Sequence, residues 1–315
     1  MQRLRIVLVA AVVVVLAGSS CSSGESSPDA EATTAPPTTE AGEATTGETP
    51  AETTTGDEIS EQPFEDFDNR NFDRSTTIDN EWFPLRPGTQ LVYEGFTVEG
   101  GRRVPHRVVF TVTDLTKVIE GVRTVVLWDR DFSAGELVEA ELALFAQDNE
   151  GTVWHLGQYP EEYEQGRLVD APAWIAGVQN ARPGISMKAQ PRLGAPSYSQ
   201  GWGPAVSWTD RAQVGQVGRR TCVPVDCYED VLVMEEFSRE EPDAFQLKYY
   251  ARGVGNVRVG WRGEDPTKET LKLVELVRLS PPALAEVRAE ALALEKRAYR
   301  ISEDVYGSTP PAEGP

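Results

Sequence analysis

From Gln90 onward the chain alternates apolar and polar residues over roughly two hundred positions, the period-two signature of half-buried β-strands. Over residues 107–115, Val108, Phe110 and Val112 oppose Arg107, Thr111 and Thr113. Over residues 137–147, Val138, Ala140, Leu142, Leu144 and Ala146 oppose Glu139, Glu141 and Gln147. One face of each strand is therefore meant for a core, and the polar set is expected on the wet face. The run Val125-Val126-Leu127-Trp128 is apolar on both faces and suits a central strand. Turn signals recur at Gly100-Gly101, Glu120-Gly121, Ala134-Gly135, Asn149-Glu150-Gly151 and Gln165-Gly166, the punctuation of consecutive hairpins. Later strands are expected at 198–202, 231–237, 246–251, 256–261 and 271–279. The fold class that follows is mainly β: a long antiparallel meander of eleven to thirteen strands forming a curved sheet, a half-barrel or a barrel, because accumulated twist and exposed edges disfavour a flat one.

The meander starts at Trp82-Phe83-Pro84-Leu85-Arg86-Pro87-Gly88, where Pro84 and Pro87 forbid helix and Gly88 permits a tight bend. The period changes at Pro281-Pro282. Beyond it Leu284, Val287, Ala291, Leu294, Ala298, Ile301 and Val305 step by three and four, predicting one amphipathic helix over 281–307 that packs across the meander or its open mouth. Residues 308–315 read as a disordered tail.

Composition divides the remainder. Residues 22–62 are rich in Thr, Pro, Glu, Ala and Gly without a single aromatic, so they cannot bury enough apolar surface to offset ordering entropy and read as a disordered linker. At roughly 5–6 Å × √n, such a tether reaches on the order of 35 Å. Phe64, Phe67 and Phe72 then stand among acids and are expected to dock that strap on the domain, 63–280. Asp66 and Asp68 open like a calcium loop, but Arg70 takes the next ligand place and Asn71 stands where Gly is required, which excludes an EF-hand.

The formal net charge is −20, with no Lys/Arg cluster, so phosphate backbones and anionic headgroups would be repelled and no nucleic-acid partner is expected. At the N-terminus, Arg3 and Arg5 precede the apolar run 6–17, which is too short for the roughly 20 residues of a membrane-spanning helix and reads as an export signal over 1–21. Leu16-Ala17-Gly18-Ser19-Ser20-Cys21 is similar to a bacterial lipobox, in which the cysteine is lipidated. Here Gly18 occupies the usual leucine place, and plain cleavage near Ser19 or Ser20 with release is the alternative. Lipidation of Cys21 would make the membrane the protein's first partner and place it on the outer face of the cytoplasmic membrane.

Cys222 and Cys227 bracket Val-Pro-Val-Asp and can form a disulfide that shapes a turn. No further Cys or nearby His completes a metal set, so neither metal nor cofactor is expected. Catalysis finds little support: His106 and His155 are the only bases of their kind, no G-x-S-x-G follows a strand, and His155 reads as a satisfied strand histidine. The Pro/Gly-rich stretch 171–204 is long for a loop in a compact domain. Trp174, Met187, Tyr198, Trp202 and Trp208 in and beside it suit either a lid over an apolar ligand or plain packing.

Four stretches together resemble a group of uncharacterised bacterial exported proteins and lipoproteins: Phe83-Pro84-Leu85-Arg86-Pro87-Gly88-Thr89 leading into Val92-Tyr93-Glu94-Gly95, Ala146-Gln147-Asp148-Asn149-Glu150-Gly151, Ala181-Arg182-Pro183-Gly184-Ile185, and Tyr249-Tyr250-Ala251-Arg252-Gly253-Val254-Gly255. The resemblance implies a β-rich envelope protein and carries no catalytic residue. More loosely, a lipoprotein with a curved meander resembles the half-barrel carriers of envelope lipids, which cradle acyl chains against a helix. Two functions follow: a membrane-tethered envelope protein binding an apolar or amphipathic ligand inside the sheet, or a non-catalytic interaction module with a filled core on an acidic stalk.

Overall fold

The computed structural model describes residues 64–238, 241 and 243–315. The segments read from sequence as an export signal and a linker, with Cys21 between them, lie outside the described residues. The described residues carry a 14-stranded antiparallel sheet. Its strands are β1 (Thr89–Glu99), β2 (Arg102–Ile119), β3 (Val122–Ser133), β4 (Glu136–Gln147), β5 (Val153–Glu164), β6 (Arg167–Asp170), β7 (Trp174–Ile175), β8 (Gly184–Met187), β9 (Tyr198–Ser199), β10 (Arg211–Cys222), β11 (Cys227–Phe237), β12 (Ala244–Ala251), β13 (Gly255–Gly263) and β14 (Thr270–Arg278). The order β6-β5-β4-β3-β2-β1-β14-β13-β12-β11-β10-β9 is a meander folded once about the β1–β14 pair, with β7 and β8 added on β5.

The sheet is curved and unclosed. Phe83 packs edge-on against Phe145 of β4 at 5.5 Å and against Tyr250 of β12 at 6.1 Å, although those strands lie six places apart in the sheet. Only strong curvature lets one ring touch both. The free ends come together in the 171–210 crossover, where Arg182 and Trp202 form a single bridge. Gly184 of β8 lies so close to the backbone beyond β9 that a Cβ there would stand 2.0 Å from the Gly201 nitrogen.

Register assigns the faces. On β5, Tyr159 and Glu161 pair with Leu142 and Ala140 of β4, which pair in turn with Trp128 and Arg130 of β3. The C-terminal helix α1 (Pro281–Ile301) covers this face: Arg297 grips Glu161 at 2.8 Å, and Tyr306 of the short α2 (Glu303–Tyr306) packs on Tyr159. The helix therefore lies on the convex side. It does not cap the concave mouth, so the helix-against-cradle arrangement implied by the half-barrel resemblance is not the one found.

The helix is capped by the Ser280 side chain, with proline in its first turn. It breaks at Ser302, and Ile301, expected on the packed stripe, is exposed as the chain turns into α2. Residues 308–315, expected to be disordered, pack back on the sheet. Glu313 exchanges two backbone hydrogen bonds with Thr116, and Pro310 accepts from Lys117, because β1 pairs with β2 only as far as Thr111 and leaves Thr116 beyond it open on that side. Cys222 and Cys227 are joined and close the β10–β11 hairpin. Phe67 and Phe72 dock on Trp154, and Phe64 on Trp202.

Candidate functional site

The five aromatic and sulfur side chains that suit either a lid over a ligand or plain packing lie in the crossover seam. Trp174 and Trp208 stack with ring centres 6.1 Å apart, and His155 meets Trp174 edge-on at 4.9 Å while stacking on Phe145 at 4.8 Å. Met187 is buried in β8 opposite Val153, Tyr198 is buried in β9 opposite Ala212, and Trp202 is half-buried under Phe64. The space left beside Trp174 is about 10 Å³, room for no more than a water. His155 is a core residue, its pKa pushed well below the ordinary value by burial.

The polar site lies elsewhere, on the concave face of β2, β3 and β4. Across β3 and β4 the register pairs Asp129 with Glu141 and Asp131 with Glu139, all on the face opposite the helix. This corrects the expectation that Glu139 and Glu141 face water: they are 7% and 3% exposed. The sheet is covered on both sides here, by the helix on one and by its own curvature on the other, so alternation separates the faces without saying which is wet. Beside them on β2, His106 shares that face and is fully buried. Its Nε2 lies 3.0 Å from Glu269, just before β14, and 3.7 Å from Asp131. From β12, Gln246 reaches Glu269, and Lys248 stands 3.9 Å from Glu236 of β11.

The electrostatics follow from crowding and burial. Burial pushes Asp129 up to about 6 and Glu141 up to about 7. Asp131 and Glu139 rise well above the usual carboxylate range, from burial first and from neighbouring carboxylates second. Burial alone would lower His106, but the facing Glu269 outweighs it and the imidazole is raised. Glu269 is conversely held below its ordinary value: the His106 interaction overcomes its own burial.

Several atoms of this belt have no hydrogen-bond partner: Glu139 Oε2, Glu141 Oε2, Gln246 Oε1 and His106 Nδ1. Buried polar groups are normally satisfied by protein or ordered water, so these four atoms are open to a further partner. Further along the same faces Leu127, Ala143 and Phe145 replace the acids, which makes the concave lining acidic at one end and apolar at the other. An open groove of about 450 Å³ reaches His106 and is lined also by Glu94, Gly95, Pro105, Arg107, Phe132 and Gly135.

No protein-family model matches the chain, and no curated protein matches it. Two solved structures align with 63% of it. One is a Bacteroides fragilis protein described as exported with a YmcC-like fold, 12% identical over 99% of its own length with a TM-score of 0.36. The other, from Parabacteroides distasonis, is described as a lipoprotein and is 12% identical over its whole length, with a TM-score of 0.34.

Sequence reasoning named His106 only as a possible base and did not place it among carboxylates. The signal was present in part: His106 has the parity of Val108 and Phe110, and Asp129 and Asp131 have the parity of Leu127. What was missing is that Glu269, over 160 residues later in the chain, closes against His106.

Proposed function

We propose that this protein is an exported, membrane-anchored component of the cell envelope that binds an amphipathic ligand on the concave face of its sheet. The observation that carries the reading is the lining itself, an apolar stretch running into a buried polar belt with unpartnered atoms. A ligand with one apolar and one polar part matches both ends, and apolar burial at roughly 25 cal/mol per Å² supplies the affinity. The N-terminal signal, a cysteine placed for lipidation at residue 21 and the Cys222–Cys227 bond support an address outside the cytoplasm, where disulfides persist. No catalytic step is invoked.

The test is native mass spectrometry of the full chain purified from its own host, with organic extraction of whatever travels with it. An amphiphile at near-stoichiometric amount is the expected result. A chain that carries none, and takes up none when offered host lipid extract, overturns the reading and leaves the interaction module with a filled core.

A further inference from the structure

The chemistry of the orphan atoms says more than that a ligand is bound. Gln246 Oε1 can only accept, and Glu139 Oε2 and Glu141 Oε2 accept once their carboxyls are ionised. The glutamine is the independent witness, because it is not an acid. It is 3% exposed, its amide nitrogen donates to Glu269, and that donation fixes its oxygen pointing away, still unpaired. A buried acceptor set calls for a ligand that brings donors.

Charge narrows the class. Asp129, Asp131, Glu139, Glu141 and Glu269 face the belt, with Glu236 of β11 behind them and Glu162 of β5 opposite Glu139. Against these stand His106 and Lys248, the latter beside Glu236. Once ionised these carboxyls give the belt a negative balance, and a negative lining in a low-dielectric site repels an anionic headgroup and attracts a cation. Among the described residues no three His, Cys, Asp or Glu groups form a set that could hold a metal ion.

We infer that the concave belt recognises the ammonium or guanidinium head of a cationic amphiphile, held by Glu139, Glu141 and Gln246. This rests on the amphiphile reading above. A cation placed there would also draw the raised carboxylates back to their charged form, so its binding releases protons and tightens as pH rises.

The test uses the full chain and three probes of one chain length below their micellar concentrations: dodecylamine, dodecanoate and dodecanol, titrated calorimetrically at pH 7.5. Dodecylamine is expected to bind at least tenfold tighter than dodecanoate. The Glu139→Gln/Glu141→Gln variant is expected to lose that preference while still binding dodecanol, and Gln246→Met, which leaves the charges in place, to weaken dodecylamine at least threefold. Equal binding of amine and carboxylate overturns the inference and leaves the amphiphile reading standing, whereas no binding of any of the three overturns both. A preference that survives in both variants overturns the assignment of these residues.

Discussion

Lys117 Nζ lies 2.8 Å from Glu295 Oε1, and around this buried contact the C-terminal helix is fixed to the convex face. The ammonium also donates to Tyr299 and to the Pro310 carbonyl, and sits over the Tyr306 ring at 4.4 Å. Glu295 in turn accepts from the Ala312 amide. All the donors of the cation are thereby used, which is the condition under which a buried pair holds its place.

Removing one partner should therefore be costly. Lys117→Ala or Glu295→Ala is expected to lose about 3–5 kcal/mol, read as the shift in the urea midpoint. Lys117→Met combined with Glu295→Leu should recover much of the loss, because no charge is then left buried alone. A single variant that melts like the wild type would show that the pair is not what holds the helix.

The concave acids make stability depend on pH. Asp129, Asp131, Glu139 and Glu141 have folded pKa values raised above their unfolded ones. Their contribution is present in full at low pH and is lost as pH rises through the folded values, and raised His106 acts in the same direction. Glu161, Glu235 and Glu269 are lowered, and their contribution is lost only at acid pH, below the ordinary glutamate value. Melting temperature should accordingly fall between pH 5.5 and 8. Glu139→Gln/Glu141→Gln should melt above the wild type at pH 8, by on the order of 2 kcal/mol or about 4–8 °C, with the two converging near pH 5. Parallel curves for the two proteins would contradict this.

Gly184→Ala tests the seam that brings the ends of the sheet together. The added Cβ would stand 2.0 Å from the Gly201 nitrogen and 2.3 Å from the Gln200 carbonyl carbon, both backbone atoms that no rotamer change can move. A loss of about 1–3 kcal/mol is expected in denaturant titration. An unchanged midpoint would mean that β8 and the chain beyond β9 do not approach this closely.

Anchoring has its own test. Cys21→Ala in the full chain, expressed in the native host, is expected to move the protein from the membrane to the soluble fraction. Retention in the membrane would show that the anchor is not a lipid on that cysteine.

The strands from Thr89 to Arg278 were legible because alternation and glycine turn signals are local properties, and most of the predicted strands fall within those observed. The single exception of length is β10 (Arg211–Cys222), whose glycines at 215 and 218 break the apolar run. The candidate site was far less legible. Glu139 and Glu141 alternate with Ala140 and Leu142 as a solvated face would, and nothing near them in the chain signals burial. Trp174 and Trp208 read equally as lid or core until their stacking on each other and their edge contacts with His155 are seen.

Residue order by itself determined the class of the fold, the place where it begins, the helix after Pro281-Pro282 and the Cys222–Cys227 link, since each depends on neighbours a few positions apart. Curvature decided the rest. It set which of two polar faces is enclosed, brought Glu269 to His106 and Tyr250 toward Phe145, and sent the helix to the convex side. Those relations depend on how twist accumulates over many strands, a sum that no short stretch of sequence contains.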